Sequence, residues 1–551
     1  MHTALRISEV MRYICQYADN STLLAMARTA RVLHQPAVEM IWHKLPCLAY
    51  LFMCFPEDAW TFEYDVYLEF TRTLAPKDWT AFLKYASFVR QLGSELGCSC
   101  DLDVSDSAWT TMCSLRPTQI LFPHLRSINW GELPLLPSEK QAPSLLTIIG
   151  TSLVKIDLGE PSPRDDDGTL QASFGIIAER FPGLRELRCG QYPGFGDPCD
   201  TLEIVNAFST MARRFTSLVS FTSTIFCVTP AAILSLSRLQ TLRRLYVCLP
   251  DNMAPLSEYP SPRDDAPVLA QLEEVGLYHS TIRAYLAFSQ AVTLPHTIKL
   301  LLELNHHMHS HLLPKVFSSL SMQCSPDCLT IIDVRDPENG SESEGLLLPA
   351  HLRPLLEFKR LESFSLSLSC RYALDDSFCA EMAMAWPCLK HLDIGCARLG
   401  RSPRCRHEAL PSVRALSPFA VNCPKLEHLG LVFNAMCWEN EAGFQADYNR
   451  AEIYGALASR ASTSTVLSFS PGLSPICGVQ YMATFLARVF PSLNTIGHGQ
   501  ITRVDGVWRN MWREVEQLLP MFKLTRQDER LRMAQELAEG PVEIQMASVD
   551  D

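Results

Sequence analysis

An α/β solenoid with a parallel sheet on its inner side is the fold class the sequence predicts, and three observations lead to it. A short phrase recurs: an aromatic residue or cysteine, a proline, then apolar residues at fixed spacing. Within and after the phrases, apolar and polar residues alternate. Between them lie stretches whose apolar residues repeat at helical spacing.

The phrase is clearest at Phe122–Ile128, Phe181–Leu187, Trp386–Ile394, Cys423–Leu431 and Phe490–Ile496. Weaker copies begin near Thr151, Phe215, Ser237, Ala270, Pro295, Asp327 and Phe358. Most spacings are roughly 23–37 residues, within or somewhat beyond the range of leucine-rich repeats. In such a phrase the last two leucine positions fall on one face of a short strand. A single strand cannot bury that face, whereas stacked copies bury a continuous core. Helical stretches such as Thr201–Arg214 and Asp376–Ala385 are expected on the convex side. The prediction for residues 93–500 is therefore an irregular leucine-rich-repeat horseshoe with its parallel sheet on the concave side. An armadillo-like all-α solenoid is the alternative, and the alternation Ser363–Leu368 opposes it.

Alternation also assigns faces. The concave candidates for holding a protein substrate are Arg188, Arg244, Tyr246, Tyr278, Asp333, Arg335, His391, Asp393 and His428, with Ser365 among them. Tyrosine and arginine are favoured anchors in protein interfaces. Taken singly, each position also fits a plain solvated strand residue.

The two ends differ from the repeats. Residues 5–45 read as three short helices. Ser8 can cap the first, whose Val10, Ile14 and Tyr17 recur at helical spacing. Asp19–Ser21 supplies a break and a second cap. Leu23, Leu24, Ala27 and Ala30 form the next stripe. Pro36 suits the first turn of a third helix, where a missing N–H costs nothing. Ala37, Met40, Ile41 and Trp42 give that helix its apolar face. A unit of this size is at the limit of independent stability and would gain from a partner. At the other end, Trp508, Met511, Trp512 and Val515 within Val507–Leu519 predict a helix over 501–525 that caps the last repeat. The tail 526–551 is expected to begin helical and to lose order past about Gly540.

The run LRISEVMRYICQYADNSTLLAMARTARVLHQPAVEMIWHKL resembles an F-box, as found in fungal F-box proteins with leucine-rich repeats. The matching features are Leu5 and Ile7, Glu9–Val10, Ile14, the Leu23–Leu24–Ala27 helix, Arg31–Val32 and the closing Ile41–Trp42. The family's usual proline after the first apolar pair is Ser8 here. The resemblance implies that residues 1–46 dock a Skp-type adaptor and, through it, a cullin scaffold. It implies Leu5, Ile7, Val10, Ile14, Leu23, Leu24, Val32, Ile41 and Trp42 as residues of adaptor docking or of the module's own core. Residues 47–92 read as a helical connector, with Trp79, Phe82, Leu83, Ala86 and Val89 on one helical face. Similar stretches follow the F-box in its fungal relatives. The function so implied is substrate recognition for an SCF-type ubiquitin ligase, without bond chemistry of its own. The alternative is a repeat scaffold whose N-terminal helices are only a cap.

Composition agrees. A net charge of −12 over 551 residues argues against broad binding to nucleic acid or to anionic membrane. No run approaches the roughly 18–20 apolar residues that span a bilayer. The N-terminus lacks the pattern of a secretory signal. The expected location is cytoplasmic or nuclear, where the 20 scattered cysteines remain thiols. No Walker, dinucleotide-binding, His-Glu-x-x-His or nucleophile-elbow motif occurs. His306, His307, His309 and His311 with Cys324 and Cys328 lack the paired spacing of a zinc module, so no metal or cofactor is expected. Cys98 and Cys100 are read as free. The inserts Pro161–Asp166 and Pro260–Asp265 repeat the same six residues, placing Ser162 and Ser261 before prolines as candidate phosphorylation sites. Gly400–His407 is locally basic.

Overall fold

Each phrase folds as its apolar positions dictate. In the computed structural model the described residues are 8–93, 102–129, 142–159, 167–190, 201–251, 269–290, 292–305, 310–336, 345–368, 370–395, 410–436, 464–472, 474–497 and 506–539. The chain divides into two compact units, Met1–Ser280 with Gln290–Thr293, and Thr281–Ser289 with Leu294–Asp551.

In the first unit parallel strands follow in the order Lys44–Leu45, Gln91–Leu92, Ser127–Asn129, Lys155–Asp157, Glu186–Cys189, Ser220–Cys227, Arg244–Cys248 and Glu274–Thr281. The register aligns equivalent residues. Ile128 faces Ile156, which faces Leu187, then Phe221, Leu245 and Val275, making one buried row. The second unit repeats the pattern through Leu300, Ile332, Phe364, Leu392, Leu429, Phe469 and Ile496. The lead-in residues Phe122, Phe181, Trp386, Cys423 and Phe490 are buried as well. Burying each such apolar side chain contributes roughly 1.5–3 kcal/mol. The fold is thus α/β, built of strand–helix repeats of leucine-rich-repeat type, and every weaker copy of the phrase also leads into a strand.

Helices fill the intervals. Leu202–Ala212 buries Ile204, Val205, Phe208, Met211 and Ala212. Asp376–Ala385 starts where Asp375 accepts a hydrogen bond from the Phe378 N–H at 2.7 Å. At the C-terminal end one helix, Gly506–Glu539, spans both the expected cap and the start of the tail, with Pro520 inside it. Trp512 packs edge-on against Phe433 and Phe469 and donates Nε1–H to the Ser474 carbonyl at 2.9 Å. Glu516 accepts from the N–H of Ile496 in the last strand at 2.9 Å. Past Leu519 this helix exposes Met521, Leu524, Leu531 and Met533. No described helix is long and apolar enough to cross a membrane.

The N-terminal region forms helices α1 (Ser8–Cys15), α2 (Asn20–Thr29) and α3 (Arg31–Ile41). Asp19 caps α2, its carboxylate accepting from the Thr22 N–H at 2.7 Å. Pro36 corrects the sequence expectation, because it lies inside α3 rather than in its first turn. The extended Ala30, at φ −152°, already ends α2 and starts α3 at Arg31. The ring of Pro36 therefore deprives the Val32 carbonyl of a helical partner.

The connector is not wholly helical. Helices Ala49–Phe52 and Trp79–Ala86 flank an antiparallel hairpin of Trp60–Glu63 and Tyr67–Phe70. Phe52, Phe55, Phe70, Trp79 and Phe82 pack there as one aromatic cluster. Arg72 ties it together, donating to Asp58 at 2.8 and 3.1 Å and to the buried Asp78 at 2.7 Å. The Arg72 hydrogen bonds hold both carboxyls below the usual carboxylate range.

Candidate functional site

The first candidate surface lies on the N-terminal helices. Their interior is built from Cys15, Leu23 and Ala37, with Met26, Ala27, Met40 and Ile41 packed around them. Arg12 on α1 donates to Glu39 on α3 at 2.7 and 3.3 Å, and Gln35 donates to the same carboxylate at 3.0 Å. The Arg12 hydrogen bond lowers the Glu39 pKa. With the helices pinned in this way, an apolar set is left outside: Tyr13, Ile14, Tyr17, Leu24 and Val32. Tyr17 is 76% exposed and Leu24 46%. The two tyrosines meet edge-to-face at 5.3 Å, with Tyr17 donating to the Tyr13 hydroxyl at 3.1 Å.

The structure thereby sorts the nine residues implied for adaptor docking. Ile14, Leu24 and Val32 point to solvent, and Val10 is half-buried. Leu23 and Ile41 belong to the interior of the module. Trp42 stacks on Tyr85 of the connector helix, ring centroids 4.7 Å apart and planes 18° from parallel. Leu5 and Ile7 lie outside the described residues. Tyr13 was missed because it falls outside the stripe read on α1, although an exposed tyrosine beside Tyr17 is a pattern the spacing of four contains.

The second candidate is the polar face of the strands in the first unit. Arg188 lies 3.7 Å from Asp157, and Arg244 lies 3.6 Å from Glu186. Tyr246 donates to Glu274, and its ring covers Gly276, where a Cβ would come within 2.1 Å of the ring. Tyr278, a concave-face candidate from the sequence, keeps the strand parity of Glu274 but is buried beside Tyr246 at a centroid distance of 6.2 Å. Glu186 and Glu274 were missed. Both occupy the phrase position of Arg244, which the register aligns with them.

In the second unit the same face carries two cross-strand rows. One runs Ser363, His391, His428, Ser468, Thr495, and the other Asp333, Ser365, Asp393, Gly430, Ser470. Arg335 is buried rather than exposed, donating to the buried Glu303 at 3.2 Å with Asp333 at 3.9 Å. Burying such a cation requires a nearby anion, and Glu303 supplies it. Asp393 is also buried. His391 and His428 stack at 4.4 Å with planes 13° apart. The His428 Nδ1 sits 2.6 Å from the Ser468 hydroxyl. Burial, then the neighbouring His391, pushes the His428 pKa down to about 4, and burial lowers that of His391. Donor atoms of His391, Asp393 and His428 lie within 4.8 Å of one another.

Cys324 is buried at a helix end, and burial pushes its thiol up to about 12. His306, His307, His309, Cys98, Cys100, both six-residue inserts and Gly400–His407 lie outside the described residues.

No family model and no curated relative matches the chain. Among solved structures, an internalin from Listeria monocytogenes aligns at 12% identity with a TM-score of 0.32, covering 67% of this chain and 90% of its own. The structure of the Rad7 and Elc1 complex in yeast aligns at 12% identity with a TM-score of 0.33, covering 90% of this chain and 92% of the matched one.

Proposed function

We propose that the chain is a substrate-recognition subunit of a cullin-type ubiquitin ligase, acting in the cytoplasm or nucleus. It performs no bond chemistry. The N-terminal helices dock a Skp-type adaptor, and the strand face of the repeats holds a protein substrate, raising its effective concentration near the ubiquitin-charged enzyme. One observation carries this reading: Tyr13, Ile14, Tyr17, Leu24 and Val32 stay exposed on helices whose own interior is already filled. Large exposed apolar sets on a soluble domain mark interaction sites. The test is affinity purification of the full chain from its native cells with mass spectrometry. A Skp-type adaptor and a cullin are expected among the captured proteins at near-stoichiometric yield. Their absence overturns the proposal.

A second reading is favoured by a different observation. Lys44–Leu45, which directly follows the helices, pairs with Gln91–Leu92 as the terminal strand of the array. On that reading the chain is an interaction scaffold with an N-terminal cap, and the same purification returns repeat-bound partners without an adaptor.

A further inference from the structure

We propose that His391, Asp393 and His428 form a binding site for a divalent late transition-metal ion, zinc foremost, with at least one coordination position left open. The site is independent of the ubiquitin-ligase reading.

Strand geometry brings the three together. His391 and Asp393 are two residues apart on the strand His391–Ile394, so both side chains rise from one face. His428 is the register partner of His391 on the adjacent parallel strand. The register partner of Asp393 is Gly430, and a Cβ there would come within 2.9 Å of the Asp393 carboxyl carbon. The glycine therefore leaves the space that the carboxylate occupies beside the two rings.

The donors also suit a metal chemically. Two imidazoles and one carboxylate are an ordinary zinc set, and three protein ligands leave a position for water or a donor from a bound partner. Ser468 holds the Nδ1 side of His428, and when Nδ1–H donates to that hydroxyl the Nε2 lone pair faces the ion. Among the described residues, nothing hydrogen-bonds the His391 ring.

That freedom matters, because stacked rings point their lone pairs along parallel lines. One ring must turn about its Cβ–Cγ bond for the lone pairs to converge, and this torsion is soft. His391 can turn without breaking a hydrogen bond. A tetrahedral ion with bonds of about 2.0–2.2 Å holds its donors roughly 3.4 Å apart, so from separations within 4.8 Å the cluster closes by no more than about 1.4 Å on binding.

The experiment uses the full chain without a histidine tag, stripped with chelator and titrated with Zn²⁺ by calorimetry and with Co²⁺ by visible absorption. Expected is one saturable site that is lost in His391→Gln and in Asp393→Asn, with affinity reduced about tenfold or more in Ser468→Ala. Zinc-edge X-ray absorption of the loaded wild type should show two imidazole ligands, a readout that does not depend on any variant folding. The proposal is overturned if the wild type binds no ion, if both ligand variants keep the same number of sites at the same affinity, or if the bound zinc shows no imidazole scattering.

Discussion

The indole of Trp42 lies flat on the ring of Tyr85, centroids 4.7 Å apart, and so joins the end of α3 to the connector helix Trp79–Ala86. Trp42→Ala should loosen the N-terminal helices while leaving the repeats folded. In a double-mutant cycle with Tyr85→Ala the coupling should be about 0.5–1.5 kcal/mol. Urea unfolding followed at both regions measures it, and a coupling near zero means the stack contributes nothing.

Leu23 and Leu24 are neighbours with opposite environments, 3% and 46% exposed. Leu24→Asp should abolish capture of a Skp-type adaptor with little change in stability. Leu23→Asp should unfold the module, since it buries a charge among Cys15 and Ala37 without a partner. Circular dichroism with adaptor pull-down separates the two. An adaptor retained at wild-type level by Leu24→Asp contradicts the docking assignment.

Asp103 is buried on the short strand Asp103–Val104, and burial pushes its carboxyl up to about 6. A raised carboxyl pKa in the folded state means that stability is fully present below about pH 4 and is lost as pH rises through 6. Asp103→Asn keeps an acceptor for the Val104 N–H, which the carboxylate now receives at 2.7 Å. The variant should be more stable by about 1–2 kcal/mol at pH 7.5, solvent screening reducing the full effect, and equal to wild type near pH 4. Melting curves across that range test the sign, and a less stable variant at pH 7.5 refutes it.

Trp512 closes the second unit against Phe433 and Phe469. Trp512→Ala should cost about 3–5 kcal/mol and should first expose the strands Ser468–Ser470 and Thr495–Ile496 to hydrogen exchange. Uniform protection in the variant means that the C-terminal helix is not the cap.

The repeat core was legible in the sequence because every copy of the phrase places its apolar residues at the same buried positions, from Ile128 to Ile496. What escaped depended on partners far along the chain. Arg335 reads as exposed until Glu303, 32 residues earlier, is seen beneath it. Pro36 reads as a helix start because its local cost is lowest there, yet Ala30 had already set the boundary. The hairpin turn at Tyr64 and Asp65 takes positive φ at both residues without a glycine to mark it. The strand Ser468–Ser470 lacks both the proline of the clear copies and their leading leucine, with Val466 standing in its place, so the hydroxyl facing His428 stayed hidden. The cluster of His391, Asp393 and His428 joins residues from two successive repeats, which no local spacing rule connects.

The pairing of Lys44–Leu45 with Gln91–Leu92 bears on how the protein can be cut. Removing residues 1–46 would strip away the terminal strand and leave Gln91–Leu92 with bare N–H and C=O groups, an invitation to stick to other chains. A truncation beginning at His43 retains that strand, so any loss of partners it causes can be credited to the missing helices rather than to clumping.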